Sequence, residues 1–73
     1  MDIFNNCWRI LKWKQCSKGI AYFMKTEDLY CVMIEDNDER IIYTLTSFDR
    51  ETAARKYNEK KLQLLRGEKI DYD

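Results

Sequence analysis

Residues 2–13 carry Ile3, Phe4, Cys7, Trp8, Ile10 and Leu11 on one helical stripe, with Asn5, Asn6, Arg9 and Lys12 on the other side. Asp2 is suited to cap the start, so the pattern predicts an amphipathic helix here. Trp13 falls off the stripe, at the helix end, and Gln15-Cys16-Ser17-Lys18-Gly19 reads as a connector. The period then shortens. Residues 20–25 and 29–35 read as strands separated by the turn Thr26-Glu27-Asp28, and the polar Asp36-Asn37-Asp38 reads as a hairpin loop. Residues 40–46, rich in β-branched side chains and tyrosine, predict a third strand.

Asp49 then stands where a helix cap is expected, and Gly67 where a helix running to about Arg66 should stop. Ala53, Ala54, Tyr57, Leu64 and Leu65 share one arc of that helix, with Lys61 projecting from its middle. Such a lysine lays its stem on apolar surface while its amine reaches water. Arg50, Arg55, Lys56, Lys60 and Arg66 are expected on a solvated outer face. The predicted fold is α+β and a single small domain over 1–73. An N-terminal helix and linker (1–18) precede a three-stranded antiparallel sheet and a long C-terminal helix packed across it (19–73).

Composition supports a folded chain, with 45% hydrophobic and 14% aromatic residues in 73. That length is near the lower limit for a self-sufficient core. Thirteen basic residues balance thirteen acidic ones, so attraction to nucleic acid or an anionic membrane would need a local patch. No apolar run approaches a membrane span, no signal-peptide pattern follows Met1, and a cytoplasmic location is expected.

Little in the chain points to catalysis. There is no histidine, which removes the usual zinc sites and histidine-activated nucleophiles. Cys7, Cys16 and Cys31 lack Cys-x-x-Cys spacing and read as buried reduced thiols. Asp36-Asn37-Asp38-Glu39 lacks the glycine and distal glutamate of a calcium loop, and two glycines make no phosphate-binding loop. The pairs Glu27-Asp28 and Glu35-Asp36 are neighbours that would point to opposite strand faces, not at one another. No cofactor is expected. Arg9, Lys12, Lys14 and Lys18 with Trp8 and Trp13 form one basic-aromatic cluster, a solvated edge or a nucleic-acid contact.

Several segments in order carry a family likeness: Gly19-Ile20, the strand end Ser47-Phe48, Ala53-Ala54 followed by Tyr57, and Arg66-Gly67-Glu68-Lys69-Ile70. From about residue 19 to 70 the chain resembles the plant ethylene-response-factor DNA-binding domain and its relatives in phage and bacterial homing endonucleases. That family shows a Gly-Val start, three strands, a Leu-Gly-Thr-Phe strand end, an Ala-Ala-x-x-Tyr helix and a closing Arg-Gly-Glu-Lys-Ala. The resemblance implies that the closing stretch returns to the sheet, through Ile70 and Tyr72 here. It also implies an exposed sheet face that reads the DNA major groove with arginines and tryptophans. Carried over, those positions are Ala21 and Phe23, Met33 and Glu35, Ile42 and Thr44, with only Lys25 and Arg40 offering charge near a phosphate. Guanine edges need paired donors and phosphates need cations, which an apolar row with one carboxylate lacks.

The substitution makes both sheet faces apolar, so the second face needs a cover: the N-terminal helix, through Ile3, Phe4, Trp8 and Leu11, or another molecule. The corresponding assemblies are a monomer and a homodimer or complex. The expected function is a non-enzymatic protein-interaction module, a small phage or mobile-element inhibitor or regulator of a host nucleic-acid-handling defence enzyme acting in the host cytoplasm. Lysine-, isoleucine- and asparagine-rich composition fits a low-GC source. The protein-binding residues expected are Ala21, Phe23, Met33, Glu35, Asp36, Asp38, Glu39 and Ile42, the acidic ones facing a basic partner surface, as would the acidic tail 68–73. The alternative is a DNA-binding domain of the ethylene-response-factor type, acting in transcription or recombination. It would use Lys12, Lys14, Lys18, Lys25 and Arg40.

Overall fold

The computed structural model describes residues 8–72. Strands β1 (Arg9–Cys16), β2 (Gly19–Thr26), β3 (Leu29–Asp36) and β4 (Ile41–Ser47) form an antiparallel meander in chain order, and helix α1 (Arg50–Leu65) follows. The α+β class and the C-terminal helix agree with the sequence reading; the sheet has four strands instead of three. The part of the expected N-terminal helix that lies within 9–13 is strand, and its residues 2–7 lie outside the described residues.

The meander turns tightly. Ser17-Lys18 join β1 to β2, and Glu27-Asp28, the first with φ 48°, join β2 to β3. At the longer β3–β4 loop, Asp36 Oδ1 accepts from the backbone N–H of Asp38 (2.9 Å) and Arg40 (3.0 Å). Asn37 Nδ2 donates to the Ser17 carbonyl at 2.6 Å, tying this loop to the β1–β2 turn.

Pairing register decides which side chains share a face. Phe23 lies opposite Val32 and Ala21 opposite Ile34, and all four point to α1 with Tyr43. Helix residues Ala53, Tyr57 and Leu64 close this core, and the Phe23 ring stacks against those of Tyr57 (5.6 Å) and Tyr30 (6.0 Å). Ala21 and Phe23 are therefore buried against the helix and not on the exposed face where the family likeness put them. Ile42 also packs on this core, beside the irregular pairing of Ile34 and Glu35 with β4.

Both helix ends behave as read from the sequence. Asp49 accepts from the Thr52 backbone N–H at 3.2 Å and from its hydroxyl at 2.5 Å. Beyond the cap at Arg66, Gly67 takes φ 73°; its N–H donates to the Leu64 carbonyl and that of Glu68 to the Gln63 carbonyl, closing a Schellman turn. The expected helix arc needs two corrections. Lys60, expected in solvent, is buried, whereas Leu65 is 41% exposed. The returning tail accounts for the first: Lys60 Nζ donates to the Asp71 carbonyl at 2.5 Å, pairs with Glu59 at 3.3 Å and lies 5.0 Å from the Tyr43 ring centroid. Ile70 packs on the core and Tyr72 meets Tyr43 at 5.3 Å, so the tail comes back to the sheet as expected.

Candidate functional site

Stepping back from the Thr26–Leu29 pair, Met24 meets Cys31 and Tyr22 meets Met33, on the face turned away from α1. Ile20 and Glu35 extend that row. β1 adds Ile10, Trp13 and Gln15, and β4 adds Ile41, Thr44 and Thr46. Neither arginine nor lysine stands on this face among the described residues, and Glu35 is its one charge.

Exposure is uneven. Met24 and Cys31 are buried although they lie outside the helix-side core, while Ile10 (51%), Trp13 (60%) and Ile41 (46%) are open to solvent on the two edge strands. Of the expected covering residues, Trp8 directly precedes β1 and is half-buried, and Leu11 is the unpaired bulge residue of that strand. Ile3 and Phe4 lie outside the described residues. Burial pushes the Cys31 thiol up, offset in part by its contact with the Thr44 hydroxyl at 3.8 Å. Cys31 is thus the buried reduced thiol expected; Cys16 is half-buried, and Cys7 lies outside the described residues.

One end of the face opens into a cleft of about 570 Å³ between the β1–β2 turn and the β3–β4 loop. Gln15, Ile20 and Tyr22 form one wall, and Glu35, Asp36 and Glu39 bring three carboxylates to the other. Burial raises the Tyr22 hydroxyl, and the Glu35 charge and a hydrogen bond to that carboxylate raise it further. Tyr22 therefore stays a neutral donor, and Glu35 faces it as an acceptor. The cleft sets clustered negative charge beside Ile20 and the Tyr22 ring, which suits a cationic side chain with an aliphatic stem. Among the described residues, no His, Cys, Asp or Glu group is arranged to hold a metal ion.

Of the expected protein-binding residues, Met33, Glu35, Asp36 and Glu39 gather on this face or at its acidic end, and exposed Asp38 sits in the same loop. Ala21, Phe23 and Ile42 belong to the helix side instead. Tyr22, Ile20 and Trp13 complete the face and were not singled out. The two-residue β2–β3 turn was the signal available, because it pairs Tyr22, not Phe23, with Met33.

The expected nucleic-acid set divides. Lys12 and Lys14 pair with Phe23 and Ala21 and so stand on the helix side of β1. Lys18 lies in the turn beside Gly67. Lys25, which donates to the Glu27 carbonyl and covers the Tyr30 ring, is at the opposite end of the sheet from Arg40. No described helix is long and apolar enough to cross a membrane. Comparison of the chain with protein-family models, curated proteins and solved structures finds no match.

Proposed function

We propose that this protein is a non-enzymatic interaction module that presents the outer face of its sheet to a partner protein with a basic contact surface. The carrying observation is the make-up of that face: an apolar and aromatic row, without cations among the described residues, that ends in a cleft lined by Glu35, Asp36 and Glu39. A desolvated apolar centre with a charged rim is the usual anatomy of a protein interface, and the acidic rim would steer a cationic partner. Nucleic-acid-handling enzymes carry such surfaces. Inhibition of one by a phage or mobile-element protein is the form of this reading that best joins the acidic end to the family likeness.

The weaker reading is duplex recognition through the sheet, as in the ethylene-response-factor domain. Among the described residues, no guanine-reading arginine stands on the face that would enter the groove. Co-purification from the natural host discriminates. The native chain should bring down a partner at stoichiometric level, and a Met33→Lys, Glu39→Lys double variant with an unchanged thermal melt should lose it. Equal recovery by the variant, or no partner with the native chain, removes the proposal.

A further inference from the structure

A second cleft, of about 410 Å³, opens between β1 and α1, away from the acidic end. Lys12 and Lys14 of the strand and Lys61 of the helix line it with Trp13, Tyr57 and Asn58. Lys61 Nζ lies 5.3 Å from the Tyr57 ring centroid and 3.5 Å from Asn58 Oδ1, so its amine is held over the cleft floor. On the same helix, Lys56 and Lys60 pair with Glu59. Lys12, Lys14 and Lys61 make no ion pair among the described residues. Three ammonium groups around one concavity repel each other and raise the local positive potential, although the chain as a whole is neutral.

The arrangement also has a period and a platform. Alternate residues on a strand are about 6.6 Å apart, close to the step between neighbouring phosphates of an unstacked strand. Trp13 has the opposite parity, but β1 is the sheet's free edge, and Trp13, 60% exposed, borders the cleft there. An exposed aromatic beside a row of cations is the arrangement on which single-stranded nucleic acid is held without sequence readout. An acidic peptide would use the charges and leave the indole unused. We infer that this cleft binds single-stranded nucleic acid, with phosphates on Lys12, Lys14 and Lys61 and a base stacked on Trp13. Trp13 borders both this cleft and the outer face, whereas Lys12, Lys14 and Lys61 lie on the helix side alone, so the lysine variants test this inference apart from the proposed protein contact.

Fluorescence anisotropy of a labelled oligothymidylate, titrated with the full chain, tests this. The strand should bind at low salt with quenching of tryptophan fluorescence, and log K should fall with log salt at a slope of about −2 for three phosphates. Lys12→Glu and Lys61→Glu should each weaken binding at least about tenfold, and Trp13→Ala should do so while Trp13→Phe keeps most of the affinity. Arg50→Glu, outside the cleft, should leave binding unchanged, and thermal melts establish that each variant is folded. Three results overturn the inference: a duplex of the same length binding as tightly, millimolar inorganic phosphate displacing the strand, or Lys61→Glu binding as the native chain does.

Discussion

At the scale of single residues, Gly19 shows how little room the sheet leaves. Its φ is +151°, and a Cβ added there would come within 2.0 Å of the Glu35 carbonyl oxygen. Gly19→Ala should therefore force β2 away from β3 and cost about 2 kcal/mol or more, read as a lower urea midpoint with an unchanged slope. In the sequence this glycine reads only as the end of a connector and the start of the family likeness. The close approach of Glu35, sixteen positions later, is a product of pairing. Lys60 was illegible for a related reason. Helical periodicity reports which positions share a face, but the group that buries Lys60 is the tail carbonyl of Asp71, brought back past the helix end.

Among the elements, α1 was the most legible, because both of its ends are written in local chemistry. Asp49 is fully exposed, and its hydrogen bond from Thr52 holds the carboxyl below the usual carboxylate range. A depressed folded value contributes stability above the unfolded pKa, and that stability is lost as pH falls through the folded one. Asp49→Ala should lower the melting temperature at neutral pH, and the gap from the native chain should close on acidification below about pH 4. A gap that persists undiminished at acid pH would mean that the carboxylate is not what caps the helix. β1 was misread because the bulge at Leu11 places Ile10 and Leu11 side by side. That breaks the strand alternation and imitates a helical stripe. What makes the segment a strand is non-local: β2 offers it an open edge along its whole length.

The molecule as a whole rests on one assignment, that the sheet has a helix side and an outer side with Val32 and Met33 on opposite sides. Strand alternation alone sets these two neighbours on opposite faces; the register at the β2–β3 turn pairs Val32 with Phe23 and Met33 with Tyr22, and so decides which of them shares the helix side. Val32 is 0% exposed and surrounded by Phe23, Ile34 and the helix. A lysine there would bury an unpaired charge, so Val32→Lys should cost about 4 kcal/mol or more, enough to unfold a domain of this size. Met33→Lys, one residue away, sets its amine among half-exposed neighbours within reach of Glu35 and solvent, and should change stability by less than about 1 kcal/mol. Thermal and urea melts of the two variants are a direct test. If Met33→Lys proved as damaging as Val32→Lys, the outer face would be closed to solvent over its whole centre, and the partner contact proposed for it would have no surface on which to form.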